Sequence, residues 1–264
     1  MNLARPPYLP TRFHSRDATT SSQGIQYHGG PVLTHPKVYL IFWGYKTYGD
    51  PDKVAALLTA YVKAMGGSGH NNIYTQYYEQ TSGQKIYIAN LKMQLAGVWF
   101  DQTNKVPQSP TDAEVAAEAL AGATHFGGNG ASDLFVVATP HGRSTSGFGT
   151  QWCAYHSAAQ MSGPLAYINL PYMPDSGDNC GANVVAAPED ESNADEGVTI
   201  VTGAEEGDAV TDPVSGSGWF SSGGGEISDS CMWTDIQNDK FHKKSYTMGP
   251  MFSNASLSCV QTYK

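Results

Sequence analysis

The chain has 264 residues, 40% hydrophobic and 15% charged, with a formal net charge of -9. That length buries a full core as one domain, and an acidic chain without a basic stripe has nothing to neutralise phosphates, which argues against nucleic acid as a partner. No run approaches the ~20 apolar residues of a membrane span. The charged share lies well below the ~25% usual for soluble proteins, and 29 Gly, 15 Pro and 15 Tyr describe a loop-rich, extracellular type of chain.

Residues 1 to 26 are polar and proline-bearing, without periodicity, and read as an extended arm or the remnant of a pro-segment. Met1 to Pro7 contain no apolar signal core, so a secreted protein would already have lost its signal. Residues 27 to 264 form the domain. Its first buried strand is Lys37 to Trp43, β-branched and aromatic, ended by Gly44. A helix follows, capped by Asp50 with Pro51 in its first turn. Val54, Leu57, Leu58, Tyr61 and Met65 fall at helical spacing before Gly66 and Gly67. Ile86 to Asn90 begins another strand region. Thr111-Asp-Ala-Glu114 is a capping box opening an alanine-rich helix that ends near Gly127. Asp133 to Thr139 and Leu165 to Leu170 are two more strands. Strands alternating with helices predict a single α/β domain with a mixed, partly parallel sheet and flanking helices.

The charge is uneven. From Ser144 to Asp239 there is no Lys or Arg but there are fifteen carboxylates, so this stretch carries -15 and the remainder +6. A solvated acidic face that aids solubility is one reading, and a bound metal ion is the other. Within it, Ala194 to Val210 reads as a helix with Val198, Ile200, Val201 and Ala204 on one face, although Gly197, Gly203 and Gly207 oppose helix formation. Ser215 to Gly225, mostly Gly and Ser, returns the chain so that Glu226 can approach that helix.

Cys153, Cys180, Cys231 and Cys259 form an even set without a Cys-x-x-Cys pair, which reads as disulfides. Of three possible pairings, Cys153 with Cys180 and Cys231 with Cys259 gives two short loops; sequence does not choose among them. Asn254-Ala255-Ser256 is a glycosylation sequon.

Ala204-Glu205-Glu206-Gly207-Asp208 has the spacing of a zinc-peptidase helix of His-Glu-x-x-His type. There, two residues one turn apart bind the metal and the Glu between them is the general base. Glu226, eighteen residues past Asp208, is the candidate third ligand. At these residues the chain resembles the exordium (phosphate-induced protein 1) family of secreted plant proteins and their bacterial relatives. That family shows a His-Glu-x-x-Glu helix, a Thr-(Asn or Asp)-Pro step, a Trp and a Glu-Ile-x-Asp-x-Cys stretch. The matching residues are Glu205, Thr211-Asp212-Pro213, Trp219 and Glu226-Ile-Ser-Asp229-Ser-Cys231. Tyr27 to Leu33, Val38 to Gly44, Trp152 to His156 and Phe252 to Ala255 extend the likeness, and the bacterial version is the nearer one. The resemblance implies a secreted α/β protein with a zincin-like site, zinc in the active form, and a peptide or protein substrate. Plant members are linked to growth signalling in the cell wall.

The departure falls on the ligands. Ala204 stands at the family's His and Asp208 at its second Glu, so the remaining set of Asp208, Glu226 and Asp229 offers only oxygen and suits calcium or magnesium better than zinc. Three accounts of Ala204 stay open: a natural loss of the ligand, a deliberate silencing substitution, or replacement by a histidine such as His141 or His156. Glu205 is read as general base, His156 as oxyanion donor or proton shuttle, and Asp229 as a ligand or outer acceptor. Each also has a plain alternative: an exposed helix carboxylate, a hydrogen-bonded core histidine and a turn carboxylate. Gly142-Arg-Ser144-Thr-Ser146 lacks the second glycine of a nucleophile elbow, and Cys153 with His156 does not by spacing form a thiol pair. The sequence thus predicts a monomeric, secreted metallopeptidase-like protein, weakened or inactive. The alternative is a non-enzymatic binding or signalling protein whose acidic segment holds calcium, or no metal, or a basic partner.

Overall fold

A computed structural model describes residues 8–12, 24–128 and 130–264. Most of the N-terminal arm, residues 1–7 and 13–23, lies outside the described residues. The central sheet has six strands: β1 (Tyr8–Pro10), β2 (Lys37–Phe42), β3 (Leu95–Trp99), β4 (Asp133–Ala138), β5 (Trp152–Gln160) and β6 (Pro164–Leu170), in spatial order β1-β5-β6-β4-β2-β3. β3, β2, β4 and β6 run parallel, whereas β5 pairs antiparallel with β6 and β1 antiparallel with β5. The sheet is therefore mixed, as expected. The three inner parallel strands are continuous apolar runs because both of their faces are covered.

On one face Ile41, Phe135, Val137, Leu165 and Tyr167 pack against α2 (Asp112–His125) through Val115, Ala119 and Ala123. On the other, Val38, Leu40, Phe42, Val136 and Ile168 meet α1 (Val54–Met65) and α3 (Glu196–Thr211). The capping box of α2 is complete: Glu114 N–H donates to Thr111 Oγ1 at 3.3 Å, and Thr111 N–H to Glu114 Oε2 at 2.8 Å. Asp50 caps α1 by accepting from Val54 and Ala55 N–H at 2.7 and 3.1 Å, but the helix starts only at Val54, so Pro51 precedes its first turn.

Two expectations are corrected. Ile86 and Tyr87 belong not to the core sheet but to an outlying hairpin of Tyr78–Thr81 with Gln84–Tyr87, where they are 44% and 51% exposed. Ser82 and Gly83 both have positive φ, the turn that closes a tight hairpin, and this local signal outweighs the short apolar run. The second concerns α3, whose sixteen residues are all buried. Its glycines are close-approach positions: a Cβ on Gly197 would lie 1.9 Å from the Cys180 carbonyl oxygen, and one on Gly203 2.6 Å from Tyr61 Oη. Tight packing thus compensates for poor helix propensity. The disulfides are Cys153–Cys180, joining β5 to the segment before α3, and Cys231–Cys259.

Candidate functional site

Seven of the fifteen carboxylates in the cation-free stretch are buried: Asp195, Glu196, Glu205, Glu206, Asp208, Asp212 and Glu226. The stretch is therefore only in part a solvated face. An interior carboxylate requires a donor, a proton or a cation, and the arrangement around α3 supplies different answers for different residues.

Glu205 and Asp208 project from α3, and Glu226 and Asp229 arrive on the loop beyond it, which is fixed by the bond from Phe252 N–H to Ile227 O at 2.8 Å and by the Cys231–Cys259 bridge. Asp208, Glu226 and Asp229 each place one carboxylate oxygen within 4.8 Å of the other two. Glu226 N–H donates to Asp229 Oδ2 at 3.2 Å. Ser228, which sequence reasoning passed over, donates its N–H to Asp208 Oδ1 at 2.7 Å and its hydroxyl to Asp208 Oδ2.

His156 comes from β5 into the same cluster. Its Nδ1 lies 3.3 Å from Glu205 Oε2, and its Nε2 lies 3.1 Å from the Asp212 carbonyl oxygen and 3.5 Å from Glu226 Oε1. A carbonyl can only accept, so Nε2 carries a proton. These side chains are no more than 3% exposed. Burial alone would lower the His156 pKa, but the charges and hydrogen bonds of Glu226 and Glu205 outweigh it and raise the value well above 6.5. Burial raises Glu205 while His156 opposes it, and burial pushes Glu226 up to about 8 against the same opposition. Asp208 is raised well above its ordinary value by burial and then by Asp229, Glu226 and Glu205. The resulting picture is an imidazolium held by Glu205 and Glu226 in a cluster where burial pushes every carboxyl, Asp208 included, towards its protonated form.

The other predicted residues separate clearly. Ala204 is buried beside Glu205 and offers no donor atom. His141 is not in the cluster; its Nδ1 pairs with Asp175 Oδ1 at 2.5 Å and it is about half exposed. Glu206 accepts from Gln94 Nε2 at 3.0 Å, Gln94 Oε1 in turn accepts from Asn71, and burial lifts the Glu206 pKa to about 7. Asp212 organises the return loop, its carboxylate accepting from Gly216, Ser217 and Gly218 N–H at 2.7, 3.1 and 2.6 Å. The Thr-Asp-Pro step was the available signal for that role.

As a metal site the triad fits oxygen chemistry. Calcium–oxygen distances of ~2.3–2.6 Å allow ligand oxygens up to about 5 Å apart, and the triad's oxygens fall within that limit. Glu226 Oε1 is buried, and its contact with His156 Nε2 is a long 3.5 Å. Nitrogen is missing from the triad, and both ring nitrogens of His156 are engaged. Comparison with known proteins yields no relative: no family model, no curated protein and no solved structure matches the chain.

Proposed function

We propose that the chain is an extracellular, exordium-like protein whose zincin-type site holds a divalent cation through Asp208, Glu226 and Asp229, with peptidase activity weakened or lost. The observation that carries this reading is the convergence of those three carboxylates within 4.8 Å of one another, next to Glu205 and His156. Two disulfides, and no helix among the described residues able to cross a membrane, support the extracellular part.

A bound cation would supply Lewis-acid polarisation of a peptide carbonyl. Glu205 stands where a general base belongs, but its carboxylate is engaged by His156 and is 2% exposed, so it meets water poorly in this arrangement. Ala204 provides no nitrogen ligand, and Ser228 occupies both oxygens of Asp208. With no nitrogen in the ligand set, an oxygen-preferring ion such as calcium is favoured over zinc. The same burial also favours the second reading, a binding protein without turnover.

The test is metal content by mass spectrometry before and after chelation, combined with Ala204→His plus Asp208→Glu. The expected result is calcium-class metal in the parent and stoichiometric zinc with new peptide cleavage in the double variant. A folded double variant that binds no zinc would refute the zincin-type layout.

A further inference from the structure

β1 is the outermost strand of the sheet, and its partner β5 is the strand that carries His156. Terminal segments fray unless something docks them, yet Leu9 is 2% exposed in the same core cluster as α3, and Thr11 is 1% exposed. The ladder is short. Tyr8 pairs with Tyr155 and Leu9 with Ala154, the register then shifts, and Pro10, which has no N–H, lies opposite Trp152. Further contacts hold the segment: Arg12 N–H donates to the Asn179 carbonyl at 2.8 Å, Tyr8 stacks on Trp152 with centroids 5.4 Å apart and meets Tyr155 edge-on, and Trp233 Nε1 donates to the Pro10 carbonyl at 3.0 Å. β1 also packs against α3, so it covers the sheet edge next to the helix that carries Glu205.

These are the contacts of a peptide that adds a strand to an open edge, where backbone bonds supply affinity and alternate side chains enter pockets. We propose that the edge of β5 beside Glu205 is a binding site for an extended polypeptide of aromatic–apolar–proline pattern, held in this structure by the chain's own residues 8–12. The proposal rests on the reading of Glu205 and His156 as a functional pair and names the ligand class that pair would meet. The register break at Pro10 keeps the ladder of β1 short, and the edge that β1 covers is one with which an extended chain would pair.

The probe is a fluorophore-labelled synthetic peptide of residues 6–12, titrated against the full chain and against Leu9→Asp. A buried leucine is worth about tenfold or more in the docking equilibrium. The expected result is therefore saturable binding to Leu9→Asp and none to the parent, together with carbodiimide labelling of Glu205 that rises about tenfold in the variant and falls as peptide is added. A folded variant with both disulfides that neither binds peptide nor gains Glu205 labelling overturns the proposal. Should Leu9→Asp fail to fold, amide exchange of the parent decides: opening of Leu9 and Ala154 before α3 supports an exchangeable strand, and exchange only through global unfolding refutes it. Peptide binding is read without metal, so a metal-free protein would remove the proposed function and leave this result standing.

Discussion

His156→Gln tests whether the buried carboxylates depend on one organic cation. Glutamine keeps roughly the volume and one hydrogen bond but removes the positive charge that lies 3.3 Å from Glu205 and 3.5 Å from Glu226. Removing one member of a buried charged pair typically costs about 3–5 kcal/mol. With an unfolding entropy of about 2.1 cal/mol/K per residue, a chain of 264 residues loses about 5–9 °C of Tm for that change. The assay is calorimetry at neutral pH after chelation, repeated with calcium. In the variant the imidazolium no longer competes with the metal, so calcium at about 100 times its Kd should restore about 2.7 kcal/mol, close to 5 °C. The parent should gain less. A fall in Tm below about 2 °C would refute the reasoning, because it would mean that the surrounding carboxyls were already neutral and needed no cation.

Stability should also rise as pH falls from 8 towards 5. Burial, and for Glu118 the neighbouring Asp101, raise Glu118 to about 8, while burial raises Glu206 to about 7. The native chain therefore binds protons that the unfolded chain has already released, and each such group lowers stability by up to about 1.4 kcal/mol per pH unit between its unfolded and folded values. Thermal melts of Glu118→Gln across that range should show a flatter profile; an unchanged slope would mean that Glu118 titrates normally. Gly197→Ala should lower Tm by about 5 °C despite alanine's better helix propensity, because its Cβ would lie 1.9 Å from the Cys180 carbonyl oxygen. An unaltered melt would show that α3 does not approach that turn so closely.

Local chemistry was legible where one segment decided its own structure. The Thr111–Glu114 box, the apolar runs of β2, β4 and β6, and the Asp50 cap are all contained in a few adjacent residues, and each is found in the fold. β5 was harder to read: Trp152 to His156 are buried on both faces, leaving no alternation to mark a strand. Burial of the acidic stretch was hidden because counting charges does not reveal donors. Ser228 for Asp208, Gln94 for Glu206 and the 216–218 amides for Asp212 come from distant or unremarkable positions. The grouping of Asp208, Glu226 and Asp229 was accessible only through motif order, since no spacing rule spans so long a loop.

The absence of any solvent-facing side on α3 sets how the chain can vary. An ordinary surface helix accepts change on its wet flank, so a saturation library scored by survival shows a tolerance that rises and falls with a 3.6-residue beat. α2, with Ala113, Glu114 and Ala117 exposed beside its buried Val115 and Ala119, should show that beat. Across Glu196–Thr211 the tolerance should be uniformly low, making the helix a block that changes only together with its neighbours.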